Sequence, residues 1–195
     1  MTNLTYLKSD FMKIACLGWG SLIWDPKSLL IRRTWFRDGP FIQVEFVRQS
    51  KDGRLTLVIC DSAKPVRSLW ALMATDDINV ARTSLLEREG IPKNKIDSFI
   101  GSVTSIEETE DEFKLTVKQW LNSINLDAAI WTNLPPKFNG ENDKVPSIEE
   151  ACDYFNSIDI NAKTNAENYI RRTPIQIDTE FRRKFEQEFN WTAIV

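Results

Sequence analysis

The chain has 195 residues, 42% hydrophobic and 27% charged, a composition ordinary for one globular domain. Its net charge is -3, with 25 basic and 28 acidic residues, so nothing in its charge favours binding to nucleic acid or to an anionic membrane. The sequence has no histidine, which excludes Ser-His-Asp and Cys-His relays and leaves acid–base chemistry to carboxylates, Lys, Tyr or Cys.

The first predicted elements are strands. Residues 14–17 form a short apolar run that ends at two glycines, which indicates a buried strand that leads into a tight turn. Residues 41–48 and 55–60 are rich in β-branched and aromatic residues and flank Asp52-Gly53, which predicts a hairpin. Further strands are expected at residues 69–73 and 128–131.

Helices are predicted from residue 76 onward and dominate the end of the chain. Asp76 and Asp77 can cap a helix that ends at Gly90 before Pro92. Three capping-box patterns follow, Thr109 with Glu112, Ser147 with Glu150, and Thr164 with Glu167, and a last helix is expected at about residues 178–189.

This order predicts an α+β fold rather than repeated βαβ units. Residues 133–146 are rich in Pro, Asn and Gly and form either a linker or a long surface loop. We expect one domain over residues 1–195, with residues 146–195 as a helical C-terminal extension.

The only indications of cellular location are features that the sequence lacks. No apolar run approaches the roughly 20 residues of a membrane-spanning helix, and the N-terminal residues lack the apolar core of a secretory signal. Cys16, Cys60 and Cys152 match no metal-binding spacing, so we expect buried free thiols in a reducing compartment. We therefore expect a cytoplasmic protein without a metal site or membrane association; the sequence leaves its oligomeric state open.

The segment CLGWGSLIWDP, residues 16–26, carries the strongest chemical signal. Gly18 and Gly20 allow close approach to the backbone, and successive amides in such a turn can bind an anion or an oxyanion. Ser21 adds a hydroxyl, and Trp19 and Trp24 provide rigid pocket walls. On its own, this pattern is more often that of an ordinary turn.

Two motifs together resemble the γ-glutamylcyclotransferase-like proteins. The first is CLGWGSLIWDP, which resembles the family's strand followed by G-[FY]-G-S-L. The second is SLLEREG, residues 84–90, which resembles the helix end S-L-D-x-x-E-G. The segments PFIQVEFVRQSKDGRLTLVI and VRSLWALM resemble strands that lie between these motifs. Two departures occur, Trp19 where the family usually has Tyr and Leu86 where it has Asp.

The resemblance implies a small mixed β-barrel surrounded by helices, with no cofactor. It implies that Gly18, Trp19, Gly20, Ser21 and Leu22 hold a γ-glutamyl substrate and that Glu89 is the catalytic acid–base residue. The implied reaction converts a γ-glutamyl amine or peptide to 5-oxoproline and a free amine.

Several alternatives stay open. Glu89 could belong to a solvated helix terminus. The chain could be an inactive small-molecule-binding module, or it could bind a protein through its C-terminal helices. Residues 131–133 could line a pocket or pack in the core, and the arginines of residues 169–172 and 182–183 could bind a carboxylate or be solvated.

Overall fold

The structure is a computed structural model that describes residues 11–194. Within this range the chain is mixed α+β, with nine strands and six α-helices. The strands are β1 (Ile14–Gly18), β2 (Phe41–Gln49), β3 (Leu55–Ile59), β4 (Pro65–Arg67), β5 (Leu69–Leu72), β6 (Ile100–Thr104), β7 (Ala128–Thr132), β8 (Lys137–Phe138) and β9 (Glu141–Asn142). The helices are α1 (Ile78–Glu89), α2 (Ile96–Phe99), α3 (Glu112–Ile124), α4 (Ile148–Ser157), α5 (Ile160–Arg172) and α6 (Glu180–Phe189).

The first sheet has the strand order β5-β1-β7-β6 and is mixed, because β1 runs parallel to β7 while the outer pairs are antiparallel. The apolar run of β1 is explained by burial on both faces. Ile14 and Cys16 belong to a core cluster that contains Leu85 of α1, whereas Ala15 and Leu17 belong to the larger main core. The sheet is therefore covered on one face by α1.

The second sheet has the order β3-β2-β8-β9, with β4 also paired to β2. The predicted hairpin is confirmed: β2 and β3 are antiparallel, and Gly53 between them has a φ of 86°, which favours glycine. β2 pairs in parallel with β8 at Arg48 and Lys137.

The expected barrel needs correction. In the part of the chain that the structure describes, the strands form two mixed sheets and no closed barrel, because the end strands of the first sheet, β5 and β6, do not pair with the second sheet. The mixed α+β class predicted from the sequence agrees with the structure.

The C-terminal helices pack on the second sheet. Phe155 of α4 and Phe185 of α6 are fully buried, and the ring of Phe185 lies 6.1 Å from that of Phe46 of β2. The buried Arg182 donates to the carbonyl oxygens of Thr173, Pro174 and Ile177, which fixes the turn before α6. These helices thus contribute to the same core as the sheet.

Two of the helix-start predictions are correct and two are wrong. Asp77 caps α1, and Ser147 with Glu150 forms the capping box of α4. Thr109 does not cap α3, since Asp111 accepts the Lys114 amide instead. Thr164 lies inside α5, where its hydroxyl donates to the Ile160 carbonyl, and Asp159 caps that helix. In both helices whose first residue was predicted wrongly, an aspartate caps the helix instead.

Candidate active site

A cleft of about 300 Å³ lies at the edge of the first sheet where β1 and β7 end. The two strands are parallel, so their carboxyl ends meet at this edge, a common position for ligand sites in such sheets. The loop after β1, the middle of β3, the ends of α1 and β7, and one side chain of α5 form its walls. We call it the Glu89 cleft.

The cleft brings together most of the site residues predicted from the sequence. Trp19, Gly20, Ser21 and Leu22 line it from one side, and Glu89 lines it from the end of α1. Gly18, which the sequence also places in the substrate-binding set, is not among the lining residues; it lies at the end of β1.

The two glycines of the loop are explained by close packing against aromatic side chains. A Cβ on Gly18 would lie 2.6 Å from the ring of Trp35, and one on Gly20 would lie 2.6 Å from the hydroxyl oxygen of Tyr169. Neither glycine has a positive φ. Both are therefore required for lack of space rather than for an unusual backbone conformation.

The loop supplies unpaired backbone donors. Its turn is held by bonds from Ile23 N to Gly20 O, at 3.1 Å, and from Asp25 N to Ser21 O, at 2.9 Å. Within residues 11–194, the amides of Gly20, Ser21 and Leu22 donate to no protein acceptor. Amides of this kind are suited to an oxygen that carries negative charge.

Glu89 is the last residue of α1, and its side chain is 17% exposed. Its Oε1 accepts hydrogen bonds from Nη1 of Arg88, at 2.9 Å, and from Oγ1 of Thr132, at 3.3 Å. Its Oε2 accepts none from the described residues. One carboxylate oxygen is thus anchored and the other is available for proton transfer.

Arg88 connects the helix end to the loop. Its side chain is 5% exposed, and its Nη2 donates to the carbonyl oxygen of Asp25, at 2.7 Å, and to Oγ of Ser21, at 3.1 Å. The same guanidinium pairs with Glu89, so one side chain fixes the distance between the loop and the carboxylate. Sequence reasoning did not identify Arg88; its only signal is a cation between two glutamates.

A further part of the wall, next to the loop, comes from the C-terminal part of the chain. The ring of Tyr169, on α5, meets Trp24 edge-on at 5.5 Å and lies 5.2 Å from the guanidinium carbon of Arg54. The Tyr169 hydroxyl accepts the amide of Leu57 at 3.3 Å. Burial raises the pKa of Tyr169 to about 12, so the hydroxyl is protonated at neutral pH.

The arginines that the sequence left open as carboxylate ligands have other roles. Arg171 pairs with Glu167, Arg182 is buried on carbonyl groups, and Arg183 pairs with Asp178. Arg172 lies 5.8 Å from the ring of Trp24, outside the lining of the cleft. Of residues 131–133, only Thr132 reaches the cleft.

The two departures from the family motifs have different structural roles. Trp19 lines the cleft, and its indole Nε1 donates to the Leu57 carbonyl at 3.2 Å. Leu86 is 1% exposed and packs between α1 and the first sheet, away from the cleft. Only the first departure therefore changes the walls of the pocket.

Among residues 11–194, no group of three or more Cys, Asp or Glu side chains is placed to hold a metal ion. All three cysteines are buried and unpaired, and burial, followed by the charge of Glu89, raises the pKa of Cys16 to about 12. No helix in the described range has the length and apolar character needed to span a membrane.

Comparisons of the chain with protein-family models, with curated proteins and with solved structures found no match.

Proposed function

We propose that the Glu89 cleft catalyses cyclotransfer on a γ-glutamyl amine or γ-glutamyl peptide, with 5-oxoproline and a free amine as products, and that the chain is a γ-glutamylcyclotransferase-like protein. One observation carries the proposal. A partly buried carboxylate with a free oxygen, Glu89, lines the same cleft as the unpaired amides of Gly20, Ser21 and Leu22.

The proposed reaction needs a base, an oxyanion site and an acid. Glu89 accepts a proton from the substrate's α-amino group as its nitrogen attacks the γ-carbonyl carbon. The amides of residues 20–22 stabilise the negative charge that develops on the γ-carbonyl oxygen. The bond from the γ-carbon to the leaving nitrogen then breaks, and Glu89 returns the proton to that nitrogen. Ring closure is intramolecular, so the cleft mainly has to orient the substrate.

Glu89→Gln tests the proposal, with Glu87→Gln as its control. Glu87 is on the exposed side of the same helix turn, outside the cleft. We expect the wild-type protein and Glu87→Gln to release 5-oxoproline from at least one member of a panel of γ-glutamyl amines and peptides. We expect Glu89→Gln to lose at least about 100-fold in turnover, because the general base is gone.

Two results would contradict the proposal. The first is no release of 5-oxoproline by the wild-type protein with any compound of the panel. The second is an equal rate in wild type and Glu89→Gln, which would place the chemistry elsewhere.

A second candidate function is a small-molecule-binding module without turnover. It is favoured by the Arg88–Glu89 ion pair, which holds one oxygen of the candidate base in a fixed contact. Quenching of tryptophan fluorescence by γ-glutamyl compounds, with no 5-oxoproline released, would support this candidate. Trp19 and Trp24 line the cleft and provide the signal.

A further inference from the structure

The hydroxyl of Tyr169 is a buried donor without a protein acceptor. Tyr169 is 6% exposed and lines the Glu89 cleft. Its oxygen accepts the amide of Leu57 at 3.3 Å, which uses one of its acceptor lone pairs. Among residues 11–194, no atom accepts its proton. The hydroxyl proton is therefore free to be donated to a ligand in the cleft.

The hydroxyl lies next to the loop of the Glu89 cleft. A Cβ on Gly20 would be 2.6 Å from the Tyr169 oxygen, and Leu57, which donates to it, also lines the cleft. The hydroxyl is thus wedged between two cleft-lining stretches of backbone. It lies beside the first of the three unpaired amides, on the side of the cleft formed by the loop.

The aromatic ring holds this donor in place. Trp24 and Phe46 contact the ring edge-on, at 5.5 and 6.2 Å, and the guanidinium of Arg54 lies over it. Arg54 is itself anchored by Asp52, at 2.8 Å. With its pKa at about 12, the group acts as a hydrogen-bond donor and not as a base at neutral pH.

We infer that Tyr169 is a further catalytic residue, whose hydroxyl donates to the substrate oxygen bound by the amides of residues 20–22. This inference rests on the proposed function, in which that oxygen is the γ-carbonyl oxygen. Helix α5 then completes the site, because it supplies a fourth donor to the developing oxyanion.

Tyr169→Phe is the test, because it removes the hydroxyl and retains the ring with its contacts to Trp24, Phe46 and Arg54. Tyr154→Phe is the matched control: its hydroxyl donates to the Gly53 carbonyl at 3.1 Å, and Tyr154 lies outside the cleft. Steady-state release of 5-oxoproline is measured for both. We expect kcat to fall by about 100-fold in Tyr169→Phe with KM changed by less than about threefold, and no change in Tyr154→Phe.

The outcomes separate this inference from the function on which it rests. An active wild type with an unchanged kcat in Tyr169→Phe overturns the role of Tyr169 alone, as does a raised KM with an unchanged kcat. Absence of turnover in the wild type overturns both. If circular dichroism shows that Tyr169→Phe is unfolded, 3-fluorotyrosine at position 169 replaces it, since this residue keeps the hydroxyl and makes it a stronger acid. A kcat that does not respond to that change also overturns the inference.

Discussion

Gly20 and Tyr169 determine how narrow the cleft is at the loop. They are separated in sequence by most of the chain, yet a single added carbon on Gly20 would collide with the Tyr169 hydroxyl. Such a contact is a property of the pair, because the Tyr169 hydroxyl leaves no room for a side chain at position 20. Its energy can be isolated by changing both residues in a double-mutant cycle.

We expect Gly20→Ala to destabilise the fold by about 1–3 kcal/mol in the wild-type background, as overpacking does in other cores. In the Tyr169→Phe background the cost should be much smaller, because the nearest remaining ring carbon is 3.5 Å from the added Cβ. Urea unfolding of the four proteins measures the coupling. Strictly additive effects would show that the close approach carries no strain.

At the scale of elements, the end of α1 determines where Arg88 and Glu89 lie. Gly90 ends the helix in the left-handed conformation, with a φ of 66°, and its amide bonds back to the last turn. A Cβ on Gly90 would meet nothing within 4 Å. A larger residue at position 90 would therefore cause no steric clash, and its only cost in stability would come from holding a residue other than glycine in the left-handed backbone conformation.

We expect Gly90→Ala to lower the free energy of unfolding by about 1 kcal/mol, and also to weaken ligand binding in the cleft, because the last turn of α1 frays. Gly140→Ala is the control. Gly140 also has a positive φ, 83°, and open space around its Cα, but it lies in the turn between β8 and β9. A similar loss of stability without a change in binding is expected there; equal effects on binding would argue against a role for the helix end.

The sequence predicts local features well and non-local ones poorly. The β2–β3 hairpin and the Ser147 capping box are set by neighbouring residues, and both are correct. The parallel pairing of β1 with β7 depends on residues far apart, and β6 has no alternating pattern that would reveal it. In the cleft, the predicted residues come from the two motifs. Tyr169 and Arg54 were missed because only the folded chain brings them there.

At the scale of the whole molecule, a buried carboxyl joins the second sheet to the C-terminal helices. Glu45 of β2 is 4% exposed and accepts hydrogen bonds from the Thr179 hydroxyl and from the amides of Phe46 and Phe181. Burial raises its pKa above the ordinary value of 4.5, although these hydrogen bonds oppose the shift. The folded state therefore binds this proton more tightly than the unfolded state.

The raised pKa of Glu45 determines how the stability of the fold changes with pH. The stabilisation linked to the Glu45 proton is fully present below the ordinary pKa of the carboxyl and is lost as the pH rises through the raised value. We expect the stability of Glu45→Gln relative to wild type in urea unfolding to increase as the pH rises above 4.5, the ordinary pKa of the carboxyl. Glu87→Gln, on an exposed helix face, is the control. A difference between Glu45→Gln and wild type that falls with pH would refute this account.

The two hydrogen bonds to the backbone of Leu57 have a consequence for solubility. β3 is at one end of its sheet, so its outer backbone groups are a potential template for pairing with a strand of another chain. At Leu57 the carbonyl accepts the Trp19 indole and the amide donates to the Tyr169 hydroxyl. The side chains of Trp19 and Tyr169, which line the cleft, thus also cap an open strand edge, and under the proposed function the same two residues would serve both ligand recognition and protection against aggregation.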